Sequence, residues 1–175
     1  MSPVVKRGWT AVDVSVVRRG ALLCFVLALV GGAQRAHAQV TVTLAGGPVS
    51  FAAPTGVDFA TGSIAATAPV TFTVDQISGA ANQQHTSYVY IHAASATLGG
   101  GKALGDLQWS STNNPGVWTS ITTTDVLIES RPIKKNGIND TWTETVSFRM
   151  LLHWATDAPA TYGVGIVFTL TVTTP

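Results

Sequence analysis

Cysteine is nearly absent: Cys24 is the only one in 175 residues. From residue 39 onward there is none. The body of the chain therefore holds no disulfide, no thiolate nucleophile and no Cys-ligated metal. Charge is scarce too, with Asp, Glu, Lys and Arg together making up 11% of the chain. From residue 39 on, five basic residues stand against eight acidic ones, a net charge of −3. A charge-poor, mildly acidic domain does not suit nucleic acid, whose phosphates call for clustered Lys and Arg. Membrane-length apolar runs are missing. The longest, residues 21–30 (ALLCFVLALV), is about half the roughly 20 residues a spanning helix needs. No stretch after residue 38 keeps a helical period over three turns.

Catalytic patterns are missing as well. His85, His92 and His153 do not pair at H-x-H or H-x-x-x-H spacing, and neither H-E-x-x-H nor G-x-S-x-G occurs. They read as surface or strand-edge histidines. The carboxylates Asp58, Asp75, Asp106, Asp125, Glu129, Asp140, Glu144 and Asp157 mostly flank turns, and their spacing marks no glycosidase pair. Glu144 is the exception, on an apolar strand face between Trp142 and Val146, either solvated near a strand end or paired with Arg131 or Arg149. The oxygen-rich 136–140 segment (NGIND) lacks the alternating acids of a calcium loop and reads as a hairpin turn. Asn139-Asp140-Thr141 is a glycosylation sequon. The expectation is no enzyme, no catalytic residue, no cofactor and no metal.

The N-terminus has a clear order. Basic Lys6, Arg7, Arg18 and Arg19 precede the apolar run, and Ala36-His37-Ala38 has A-x-A form. That order reads as a secretory signal peptide over residues 1–38, followed by a single domain over residues 39–175 that is secreted or held at the cell surface.

What the body does have is alternation. Residues 39–44 put Val40, Val42 and Leu44 on one side. Val70, Phe72 and Val74 repeat the pattern. In residues 87–93, Val89 and Ile91 point inward and Tyr88, Tyr90 and His92 outward. Residues 107–110, 117–122 and 126–133 are further strand candidates. Residues 142–154 carry Trp142, Val146, Phe148, Met150, Leu152 and Trp154 on one face, and the alternation breaks at Met150-Leu151-Leu152. Residues 162–173 carry Tyr162, Val164, Ile166, Phe168, Leu170 and Val172. Period-2 patterning with regular turn signals predicts an all-β fold: an immunoglobulin-like antiparallel β-sandwich of about eight to ten strands. The last two strands pair either as a hairpin, placing Phe148 opposite Phe168, or across two sheets. Residues 49–51 and 57–59 read as short apolar pieces, and residues 63–68 as a loop.

Tyr88, Tyr90 and His92, with Trp109 and Trp118, form a candidate face for a partner or glycan, because rings with polar tips suit both. The alternative is that a loop or second sheet covers them.

The C-terminal segment from Asp157 through Tyr162 to Pro175, a Pro-x-Thr-Tyr turn and then an alternating Thr/apolar strand, resembles the last strand of bacterial immunoglobulin-like surface subunits. These are the chaperone–usher pilins and spore-coat-U-like proteins. The resemblance implies a chain that ends at strand F, with a neighbour's N-terminal segment filling the missing place by strand addition. Val40, Val42 and Leu44 are then the candidate donor strand; otherwise they form the domain's own first strand. The function expected is an exported, non-enzymatic structural or adhesive surface protein contacting like subunits or surface glycans. A carbohydrate-binding module and a small secreted hydrolase are the alternatives.

Overall fold

A computed structural model of the protein describes residues 14–16, 39–46, 48–78, 84–134, 141–157 and 162–173. The apolar run, Cys24, the A-x-A site, the 136–140 turn and the sequon Asn139 lie outside the described residues. No helix among the described residues is long and apolar enough to cross a membrane.

In chain order the elements are β1 (Val14–Val16), β2 (Gln39–Ala45), α1 (Gly56–Thr61), β3 (Ser63–Ala65), β4 (Val70–Ser78), β5 (Gln84–Ala93), a short 3-10 helix (Leu104–Asp106), β6 (Leu107–Ser111), β7 (Thr119–Ser120), β8 (Val126–Lys134), β9 (Thr141–Leu151) and β10 (Ile166–Thr173). They make the expected all-β sandwich of two mostly antiparallel sheets. One sheet runs β1-β10-β5-β8. The other runs β2-β4-β9-β6-β7, with β3 also on β9.

Alternation sets which faces meet. Val70, Phe72 and Val74 of β4 and Val146, Phe148 and Met150 of β9 point inward from one sheet; Val89 and Ile91 of β5 and Ile166 and Phe168 of β10 point inward from the other. Phe72 joins the layers, edge-on to Trp142 (centroids 5.5 Å) and tilted against Phe168 (6.0 Å). Burying each such ring contributes about 1.5–3 kcal/mol. On the outer face, Thr71–Thr145 and Thr73–Thr143 hydroxyls pair across β4 and β9 at 3.0 and 3.1 Å.

The hairpin reading of the last two strands is overturned. β9 and β10 lie in opposite sheets: Phe148 pairs with Trp109, and Phe168 with Ile91. β9 stops at Leu151, where the alternation breaks, and β10 begins only at Ile166.

Three other readings need correction. Residues 57–59 belong to α1, because Thr55 and Asp58 form a reciprocal capping box and Gly62 closes the helix in the left-handed region (φ 76°). Residues 63–65 form β3 on β9 rather than a loop. His85 is buried, not a surface residue, with Nδ1 3.2 Å from the Thr173 carbonyl oxygen.

Candidate functional site

A β-sandwich offers four lateral edges, and the chain treats them differently. An edge strand exposes unpaired N–H and C=O groups, so it templates pairing unless something blocks it. β7 is blunted by length, having two residues. β8 is blunted three ways. Its register slips between Val89 and Tyr90 of β5, leaving Ile128 as the extra residue of a bulge. Pro132 removes a donor. Glu129 and Arg131 occupy the inward register, opposite Val89 and Ser87.

The other two edges are less guarded: β2 shows only a register shift against β4 between Gln39 and Val40, and β10 shows none against β5. β2 (QVTVTLA) and β10 (IVFTLTVT) contain neither a charge nor a proline. β2 bonds to β4 on one side and ends the sheet on the other. The candidate donor residues Val40, Val42 and Leu44 thus lie in a strand of the chain's own sheet: Val42 is buried, and the other two pack partly buried against the core. β10 bonds to β5 along all eight residues. On its other side it receives only β1, in parallel, with Val14 opposite Ile166, Ser15 opposite Val167 and Val16 opposite Phe168. From Thr169 to Thr173 that side has no strand partner among the described residues. β1 comes from within the segment that the sequence reads as a signal peptide.

The inward charges of β8 are part of a built network. Glu144 is 3% exposed. It accepts from the Thr112 hydroxyl (2.6 Å), the Asn113 backbone N–H (2.7 Å) and Arg131 Nη2 (3.4 Å). Asn113 Nδ2 donates to Glu129, and the Arg131 guanidinium lies over the Trp142 ring at 5.2 Å. Of the two readings open for Glu144, pairing with Arg131 is the one realised. The network ties β8 to β9 and to the β6–β7 connection at one margin of the sandwich.

The five candidate aromatic-face residues do not come together. Tyr88, Tyr90 and His92 share the outward face of β5 and are half-buried. The two tyrosine rings stack at 6.5 Å, and His92 Nδ1 lies 2.6 Å from Asp125 Oδ1. Trp109 belongs to the other sheet and points into the core. Trp118 lies beneath Arg149 (4.4 Å), whose Nε donates to Gln108 Oε1 on the outward side of that same sheet. The sequence cannot show this division, since period 2 assigns a side within a sheet but not which sheet a strand joins.

Sequence reading also missed an apolar site. Trp154, grouped with the inward face of residues 142–154, lies beyond the end of β9 and is 70% exposed. It stacks on Phe59 of α1 at 4.3 Å, and Val57 on the same helix is exposed.

One further cluster joins three segments. Lys102, Asp106, His153, Asp157 and Tyr162 meet where the β5–β6 connection touches the crossover from β9 to β10. Lys102 Nζ is 2.8 Å from both Asp157 oxygens and 3.2 Å from Asp106 Oδ2, and lies 5.7 Å from the Tyr162 ring centroid. His153 Nε2 is 3.4 Å from Asp106 Oδ1. Burial first and the Asp157 charge second push the Tyr162 phenol above its ordinary range, with Lys102 opposing.

No protein-family model matches the chain, and no curated protein matches it either. Fold and edges together define an all-β sandwich whose β2 and β10 edge strands carry neither charge nor proline.

Proposed function

We propose that the protein is an exported, non-enzymatic structural or adhesive surface protein whose contacts run through strand edges. What supports this is the unequal treatment of the edges. β8 carries a bulge, a proline and inward charges, whereas β10 carries none of these and accepts a strand from residues 14–16. On this reading residues 1–38 leave on export and β1 leaves with them. The Ile166–Thr173 edge is then bare, and an alternating Thr/apolar segment from a like subunit adds to it. Backbone bonds supply affinity, and side-chain alternation supplies register.

Sedimentation velocity tests it by comparing the full chain with a chain beginning at Gln39. The shorter chain should associate with rising concentration, and amide exchange over residues 166–173 should slow as it does. A shorter chain that stays monomeric, or associates without protecting β10, would refute the proposal. Removing residues 39–44 is not a clean test, because those residues form β2 of the chain's own sheet.

The stacked Tyr88–Tyr90 pair favours a second reading, a carbohydrate-binding module with these rings as its platform. There Tyr90→Ala would abolish glycan binding in a protein that remains folded and monomeric.

A further inference from the structure

We propose that Arg149, held on the Trp118 ring, anchors a binding site for a carboxylated sugar on the outward face of β9 and β6, apart from the β2 and β10 edges. From residue 39 onward the chain has two arginines, and the fold treats them differently. Arg131 pairs with Glu144 and Glu129. Arg149 makes no ion pair among the described residues. Its guanidinium carbon lies 4.4 Å from the Trp118 ring centroid, and the residue is partly buried. Arginine is always charged. A partly desolvated charge with no counter-charge is a cost that an anionic ligand would relieve.

A relay of hydrogen bonds fixes the head group. Arg149 Nε donates to Gln108 Oε1 (2.8 Å), Gln108 Nε2 to the Ser120 hydroxyl (3.5 Å), and that hydroxyl to the Gly105 carbonyl oxygen (2.9 Å). Strand register sets the relay up: Gln108 of β6 stands directly opposite Arg149 of β9 on one side and Ser120 of β7 on the other. Only the Nε–H is taken. The terminal pair of Nη groups makes no hydrogen bond to any described residue. Two parallel N–H donors in one plane match the two oxygens of a carboxylate. A head group already fixed loses little freedom in binding one.

The rest of the face suits a sugar ring. Ala65, opposite Arg149 on β3, and Ser147, two residues back on β9, are both exposed. The surface beside the guanidinium is therefore low and carries a hydroxyl. Val117, next to Trp118, is 52% exposed and gives an apolar floor for C–H groups. A like subunit is the poorer source of the carboxylate. Every acidic side chain among the described residues already has a donor against it, from Asp58 with Thr55 to Asp157 with Lys102. A polyanion such as nucleic acid needs clustered cations, whereas one uronic acid unit in a neutral glycan needs a single fork.

NMR titration of the full chain tests this, with sodium glucuronate as the probe and glucose, sulfate and N-acetylaspartate as comparisons. Glucuronate should shift the Arg149 Nε–H and Trp118 indole N–H resonances saturably, and added salt should weaken it. The three comparison compounds should shift them far less at equal concentration and ionic strength. Arg149→Lys keeps the charge and loses the fork, so it should weaken glucuronate about tenfold or more. Gln108→Ala frees the head group and should weaken it less. No saturable shift with glucuronate in the parent chain overturns the proposal without reference to any variant. Equal shifts with sulfate would make the site a general anion contact, and equal shifts with N-acetylaspartate would assign it to a peptide carboxylate; either overturns the sugar assignment. So does an Arg149→Lys chain of unchanged circular dichroism that binds as the parent does. Association through β10 and binding at Arg149 can each fail alone.

Discussion

Glu144→Gln tests whether the inward charges of β8 hold the sandwich margin together. Glu144 is buried, and three donors converge on it. The amide can still offer one carbonyl oxygen to the Thr112 hydroxyl and the Asn113 N–H. It then presents an NH2 group to the Arg131 guanidinium, so a donor faces a donor. Stripping the partner from a fully buried ion costs about 3–5 kcal/mol. Arg131 is 38% exposed and has Glu129 4.0 Å away, so water and the second carboxylate recover part of that. About 2 kcal/mol remains, or roughly 4–8 °C in Tm for a domain of this size. Urea unfolding followed by tryptophan fluorescence measures it. In a double-mutant cycle with Arg131→Gln, about 1 kcal/mol of coupling should appear. Replacing both residues together, as Glu144→Leu with Arg131→Met, should recover most of the loss. A Glu144→Gln chain within about 0.5 kcal/mol of the parent, with no coupling to Arg131, would show that the network contributes nothing and that the margin is held by packing alone.

Other measurements bear on single groups. The phenol of Tyr162 is held above its ordinary pKa of 10.0, first by burial and then by Asp157. A raised folded-state pKa gives stability that is fully present below the unfolded value and lost as pH rises through the folded one. The parent should therefore lose stability above about pH 10 more steeply than Tyr162→Phe, and parallel curves would contradict the assignment. Gln76 is buried with neither amide atom hydrogen-bonded. Gln76→Leu should raise the unfolding free energy by about 1–2 kcal/mol, and a fall would mean the amide has a partner. Asp58 lies below its ordinary pKa because it accepts from the Thr55 N–H and hydroxyl. Its cap on α1 is therefore present above pH 3.8 and lost as pH falls through the lowered value. Amide protection at residues 58–59, taken against the intrinsic exchange rate at each pH, should fall on acidification in the parent and be insensitive in Asp58→Asn.

The sequence by itself determined the strands whose inward faces are mainly apolar. β4, β5, β9 and β10 were legible, because period 2 records which side of a strand is buried, and the break at Met150-Leu151-Leu152 marked where β9 stops. It also set the composition of the edges: the missing charge in β2 and β10, and Pro132 in β8, are facts of sequence. It misread residues 57–59 and 63–65, because a helix of six residues and a strand of three are too short to show a period. Only the tertiary structure decided which sheet each strand joins, since alternation is the same whichever sheet the inward face meets. That decision sent β9 and β10 to opposite layers, put Trp109 in the core and Trp118 on the far side from Tyr88 and Tyr90, and left Trp154 exposed against Phe59. It also brought Lys102 to Asp157 across 55 positions of chain and Arg131 to Glu144 between sheets. Charged side chains find such partners through the packing of the layers, which no local pattern encodes.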